Sequence, residues 1–170
     1  MDFRALIRDV PDFPLPGILF RDITPLLADP AALAGVTDLL ARRYRPQNIQ
    51  KIVAIESRGF LFGAPLACAL GVGLVPVRKP GKLPYKTVEE SYTLEYGSNT
   101  ICMHVDALAR GERALVIDDL IATGGTLAAT CNLVERLGAE LVEVAAIVEL
   151  TELNGRALLG SRSVYSLIQY

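Results

Sequence analysis

The chain of 170 residues has no tryptophan, one histidine (His104), two methionines and three cysteines. Cys68, Cys102 and Cys131 are odd in number, lack C-x-x-C spacing and sit among apolar neighbours. That argues against a disulfide framework or a metal cage and predicts small buried hydrophobes in a reducing compartment. A lone histidine beside Cys102, Met103 and Val105 is expected to be structural. Positive charge is not in excess, since 17 Lys and Arg face 19 Asp and Glu for a formal net charge of −2. Such a balance gives no broad field to hold a nucleic-acid backbone, so the cations must act locally. No signal peptide is expected, because Asp2 and Arg4 precede any apolar run, and the expected location is cytoplasmic. Residues 60–77 run for 18 positions without a charge, long enough for a membrane span, but Gly63, Pro65, Gly71, Gly73 and Pro76 punctuate them. The run is expected to fold as buried helix, turn and buried strand, with no membrane partner.

What the chain does have is a 51% hydrophobic composition with only 21% charged residues, enough for one globular domain over residues 1–170. There is no repeat and no low-complexity segment. Apolar runs at 51–55, 73–77, 114–117, 141–150 and 164–168 read as strands, most of them buried on both faces. Between them lie helical patterns. One starts at Asp29, an N-cap followed by Pro30, and runs to about Tyr44, where Pro46 ends it. Others open after Ser57-Arg58-Gly59 and after Thr126, and a short one covers 153–159. The fold class is therefore α/β, a single-domain, mostly parallel twisted sheet flanked by helices. Residues 2–9 are expected to form a short helix. Pro11, Pro14, Pro16 and Gly17 then stiffen an N-terminal arm, residues 1–28, that can hold Phe20 over a flat ring; alternatively Phe20 is ordinary core. Residues 79–97 break the helix–strand rhythm and read as a flap of two short antiparallel strands at most, with Lys82 at its tip and 99–104 pairing back.

The chain is organised around residues 114–126, ALVIDDLIATGGT. A buried strand ends in Asp118 and Asp119. A loop of small and hydroxyl residues follows, Ala122, Thr123, Gly124, Gly125 and Thr126, and then a helix with Leu127, Cys131, Val134 and Leu137 on one face, stopped by Gly138. Strand, glycine-rich turn and helix N-terminus build an anion site. No Lys follows the glycines, so this is not a Walker A loop, and the spacing is not G-x-G-x-x-G. A lysine-free cradle suits one phosphate monoester, and two carboxylates beside it suit a cis-diol. Together they describe a 5-phosphoribosyl group. The plainer reading is an acidic strand end before an ordinary turn. Two further strand ends carry charge, Glu56 with Arg58 and Arg78 with Lys79, at the sheet edge where open α/β folds bind ligands.

Residues 116–126 resemble the phosphoribosyl diphosphate (PRPP) signature of the type I phosphoribosyltransferases. FPLPGILFRD at 13–22, ESRGFLFGAP at 56–65, VPVRKPGKLP at 75–84 and YTLEYG at 92–97 are similar to the adenine-using branch, as is the terminal YSLIQY. The likeness spans nearly the whole chain. It implies transfer of phosphoribosyl from PRPP to adenine, giving AMP and pyrophosphate in purine salvage, with Mg²⁺ carried by the substrate and water and a homodimer as the usual assembly. It implies that PRPP and AMP are held by Asp118, Asp119, residues 122–126, Arg58, Arg78, Lys79 and Lys82. It implies adenine stacked on Phe20, read by the backbone at Leu19 and Arg21, and covered by Leu120. Catalysis is expected from Arg58, Asp118, Asp119 and Glu95, the last moving a proton at the purine N7; a solvated flap residue is the alternative for Glu95. The alternative for Arg58 is a subunit contact, beside the apolar helix at 60–70. A 6-oxopurine-using enzyme, a PRPP-sensing regulator and a plain sugar-phosphate binder are the competing functions. The first is expected to read its base with a Lys, and the second to carry an added nucleic-acid-binding module.

Overall fold

The computed structural model describes residues 1–93 and 97–170. Elements follow in chain order: β1 (Arg8–Pro11), β2 (Leu19–Asp22), α1 (Thr24–Ala28), α2 (Pro30–Tyr44), β3 (Lys51–Ile55), α3 (Phe60–Leu70), β4 (Gly73–Val77), β5 (Thr87–Thr93), β6 (Ser98–His104), β7 (Arg113–Ile121), α4 (Gly125–Arg136), β8 (Glu140–Glu149), α5 (Arg156–Leu159) and β9 (Val164–Gln169). Five of the strands form one parallel sheet in the order β4-β3-β7-β8-β9. Two antiparallel hairpins, β1–β2 and β5–β6, stand apart from it.

The apolar runs are continuous because the sheet is covered on both faces. Ile52, Ala54, Leu115, Ile117, Ala145 and Ile147 pack with α2 and α3. Their neighbours Val53, Ile55, Ala114, Val116, Val144 and Ala146 pack with Leu127, Cys131 and Val134 of α4. Asp29 caps α2 as expected, accepting from the amides of Ala31 and Ala32 at 2.9 Å. The apolar stretch at 60–77 is α3, a left-handed Gly71 and β4, and no helix among the described residues is long and apolar enough to cross a membrane.

Five expectations need correction. Residues 2–9 give only one 3₁₀ turn, Arg4–Leu6, because Arg8–Pro11 is taken up as the partner of Leu19–Asp22. The strand begun at 114 does not stop at the aspartates. It runs through Ile121 on β8, although its pairing with β3 ends at Ile117. The flap strands are longer than expected, seven residues each, Thr87–Thr93 paired antiparallel with Ser98–His104. Lys82 is therefore not at a hairpin tip: it precedes β5, and its amide donates to the Lys79 carbonyl. Cys68 is exposed, while Cys102 and Cys131 are buried and all three are free thiols. His104 accepts from the Tyr85 amide at 3.3 Å and lies edge-on to that ring, a structural position.

Candidate active site

A cavity of about 340 Å³ opens beyond the carboxyl ends of β3, β4 and β7, roofed by the β5–β6 hairpin. Each strand delivers polar groups to it: Glu56, Ser57 and Arg58 after β3, Arg78 and Lys79 after β4, Asp118 and Asp119 within β7. The uneven pairing of β7 explains the last two. Their backbone is still held by β8, but β3 has ended beside them, so the carboxylates line the cavity instead of packing against a neighbouring strand. Thr126, in the first turn of α4, forms another wall. An adjoining hollow of about 80 Å³ shares Asp118 and Thr126 with the cavity and is lined by Leu120, Ala122, Thr123, Gly124 and Gly125. Its floor is the N-terminus of α4, where the first amides have no partner inside the helix.

The loop glycines are packed as well as bent. Gly124 has φ +84°, and a Cβ there would sit 2.2 Å from the Gly155 carbonyl oxygen. A Cβ on Gly155 would in turn meet the Ala122 carbonyl at 2.3 Å. Two backbones thus touch with no side chain between them. Gly59 is similarly constrained, since its Cβ would come within 2.8 Å of Asp118 Oδ1. The peptide bond between Glu56 and Ser57 is cis.

The charges of the site are paired with one another. Arg58 Nε lies 2.6 Å from Asp119 Oδ2, and Arg78 Nε donates to Glu56 Oε2 at 2.7 Å. Arg78 also donates to the Lys82 carbonyl, and the Lys79 amide to Glu56. Asp118 accepts from the Asp119 amide at 2.8 Å. Burial, and then the adjacent Asp119 carboxylate, push the Asp118 carboxyl well above the usual aspartate range, with Arg58 opposing more weakly.

The residues expected for the base lie to one side. Leu19, Phe20 and Arg21 are on β2 and line neither cavity. Phe20 stands 5.6 Å from the Arg58 guanidinium and packs edge-on against Phe13. The Arg21 side chain pairs with Asp9 and stacks on the ring of Tyr170 at 3.9 Å. The Lys82 side chain lines neither cavity, and Glu95 lies outside the described residues.

Residues 22–158 match the model of the phosphoribosyl transferase domain family. The adenine phosphoribosyltransferase of Solidesulfovibrio magneticus is 59% identical over 169 residues, covering 99% of both chains. An adenine phosphoribosyltransferase of Arabidopsis thaliana is 54% identical over 98% of this chain and 92% of its own. The chain belongs to the adenine phosphoribosyltransferase family. Among solved members, that of Thermoanaerobacter pseudethanolicus superposes with a TM-score of 0.96 at 47% identity, over 99% and 98% of the two chains. That of Saccharomyces cerevisiae, complexed with an imino-altritol bisphosphate and adenine, gives 0.94 at 40% identity, over 98% and 96%.

For a member of the adenine phosphoribosyltransferase family, sequence reasoning overlooked several residues that line this cavity. Tyr92, Asn99 and Ile101 come from the hairpin. Tyr92 was legible as an aromatic in a polar strand, but nothing marked where it points. Glu56 was visible as a strand-end carboxylate, yet its partner Arg78 follows a different strand. Gly155 carried no signal, because its role depends on the backbone of Gly124.

Proposed function

We propose that this chain transfers the 5-phosphoribosyl group of PRPP to N9 of adenine, giving AMP and pyrophosphate in a step of purine salvage. The observation that carries the reading is the meeting of three chemistries at one sheet edge. Adjacent carboxylates, Asp118 and Asp119, stand beside the amide-lined hollow of residues 122–126 and opposite Arg58, Arg78 and Lys79.

In this reading the ribose 2′- and 3′-hydroxyls donate to Asp118 and Asp119. The 5′-phosphate sits in the hollow, accepting from the amides of 122–126 and from the Thr123 and Thr126 hydroxyls. Adenine lies on Phe20, its edge read by the backbone at Leu19 and Arg21, with Leu120 on the far face. The C1–O bond breaks with its electron pair leaving on the diphosphate. Arg58, Arg78, Lys79 and Lys82 offset the charge that grows there, and the paired aspartates stabilise the positive charge left on the sugar. The N9 lone pair of adenine, in the tautomer with its proton on N7, forms the new bond to C1. Glu95 takes the N7 proton.

Mg²⁺ fits this site as an ion that arrives with the substrate. Among the described residues no cluster of three or more Asp, Glu, His or Cys side chains could cage a metal, and Asp119 is already engaged by Arg58. Diphosphate, ribose and water oxygens would supply most ligands, with Asp118 and Asp119 alongside, and the bound ion would neutralise diphosphate charge. The free, partly buried cysteines suit a reducing cytoplasm. A homodimer, the usual assembly that the family likeness implies, would place α3 beside Arg58 at the subunit contact, with Leu61 on its exposed side.

The test is AMP formation by the purified chain with PRPP and Mg²⁺ against adenine, hypoxanthine, guanine and xanthine. Product with adenine alone is expected. No product with adenine, or equal turnover of the 6-oxo bases, overturns the assignment.

A further inference from the structure

We propose that Tyr92 is a positioning residue that sets the proton direction of the Thr126 hydroxyl, so that Thr126 donates to the substrate 5′-phosphate. The inference rests on the reading that the hollow at 122–126 takes that phosphate. Tyr92 Oη lies 2.7 Å from Thr126 Oγ1, a distance at which either can donate. Thr126 lines both the main cavity and the hollow, whereas Tyr92 lines only the former of the two. The phenol therefore approaches the threonine hydroxyl from the side away from the phosphate cradle.

Hydrogen-bond arithmetic then decides the direction. A threonine hydroxyl has one proton and two acceptor lone pairs. A phosphate monoester dianion offers acceptors only. Thr126 can serve both neighbours in one way: it accepts from Tyr92 and donates to phosphate. The phenol, the more acidic of the two hydroxyls, is suited to be the first donor. A donated hydrogen bond polarises the recipient, so the second bond gains from the first.

Tyr92 is held in place for this. Its ring packs over Gly125, where a Cβ would come within 2.9 Å of ring carbon Cδ2. The strand that carries it is tied to α4 by Asn132 Nδ2 donating to Glu90 Oε1 at 2.9 Å, by Arg136 donating to the Glu89 carbonyl at 2.7 Å, and by the Arg136–Glu90 ion pair. Donor, threonine and phosphate cradle thus belong to one body.

The test is titration calorimetry of AMP and adenosine on the full chain, comparing the wild type with Tyr92→Phe, Thr126→Val and the double variant. Tyr92→Phe removes one oxygen and keeps the ring over Gly125. The wild type is expected to prefer AMP over adenosine. Tyr92→Phe is expected to cut that preference about three- to tenfold, the worth of one hydrogen bond, with adenosine affinity unchanged. In the Thr126→Val background the same change is expected to cost nothing further, while Thr126→Ser, which keeps the hydroxyl, restores the sensitivity. Equal weakening of AMP and adenosine by Tyr92→Phe, or a full additional loss in the Thr126→Val background, would overturn the relay. A wild type with no preference for AMP would overturn the phosphate reading itself, and the relay with it.

Discussion

The contact between Gly124 and Gly155 can be tested by three alanines that separate backbone conformation from steric overlap. Gly71→Ala is the conformational reference: its φ is +69° and nothing lies within 4 Å of an added Cβ. An L-residue in the left-handed region costs about 1–2 kcal/mol, partly offset by the lower freedom of alanine in the unfolded chain, leaving roughly 1 kcal/mol. Gly155→Ala is the steric reference. Its φ of −60° suits any residue, but the Cβ would lie 2.3 Å from the Ala122 carbonyl oxygen and 2.9 Å from Ile121 Cγ2. The first obstacle is backbone and cannot rotate away, so overpacking costs about 1–3 kcal/mol. Gly124→Ala incurs both penalties, φ +84° and 2.2 Å to the Gly155 carbonyl, for a total of about 2–4 kcal/mol. In a chain of this size each kcal/mol lowers Tm by about 2–4 °C. Calorimetric scans should therefore show a drop of about 3 °C for Gly71→Ala and about 10 °C for Gly124→Ala, with Gly155→Ala between them. AMP affinity should fall with the second and third changes and not with the first. The double variant at 124 and 155 should lose less than the sum, because the two share one contact. Were Gly124→Ala no more harmful than Gly71→Ala, the cradle would not be braced against Gly155 at all.

Two other perturbations follow from the charges and stacks. The raised Asp118 carboxyl means the folded chain holds more protons than the unfolded one above the ordinary aspartate value, so stability falls as pH rises through that window. Asp118→Asn should therefore raise Tm near pH 7 and match the wild type near about pH 4, while losing activity; an Asn variant less stable at neutral pH would refute the burial argument. Tyr170→Ala removes the ring on which both Arg4 and Arg21 stack, at 4.2 and 3.9 Å, each stack worth about 0.5–1 kcal/mol. The β1–β2 hairpin should loosen and KM for adenine rise about two- to tenfold with KM for PRPP unchanged, whereas equal rises would place Tyr170 in general stability alone.

What could be read in the sequence was whatever depends on side chains close together in the chain. Lys51–Ile55 and Gly73–Val77 are apolar runs with clear stops, and Asp29-Pro30 is a local start signal, so their bounds were found directly. Asp118 and Asp119 looked like a strand end because charge usually marks a loop. Backbone pairing takes no account of the side chain, and β8 carries β7 on to Ile121. The hairpin was underestimated for a related reason. Thr87–Thr93 is mostly polar: only Val88 and Tyr92 turn inward onto the core, and Glu89 and Glu90 are bound by Asn132 and Arg136 of α4, so the apolar signal is thin. Arg58 and Asp119 were each legible as site residues, but their pairing is a product of the β3–β7 neighbourhood, which no local pattern encodes.

That pairing bears on what the site will accept. Without ligand, the cations proposed for the diphosphate are held by carboxylates, Arg58 by Asp119 and Arg78 by Glu56. A half-buried cation left without an anion costs free energy, so this arrangement stabilises the empty site. It also sets a threshold. An anion that draws Arg58 away must offset the loss of Asp119, and it leaves a buried carboxylate, 5% exposed, without its cation. A lone pyrophosphate satisfies the arginine and abandons the aspartate. A ribose diol without a diphosphate offers the aspartate its hydroxyls and gives the arginine nothing. Only a ligand with both on one carbon skeleton satisfies both halves of the pair as it opens. On the proposed assignment of diphosphate to the arginines and diol to the aspartates, selectivity for PRPP over its fragments follows from partner exchange inside the site, with no contact needed beyond those the two ends of the molecule make.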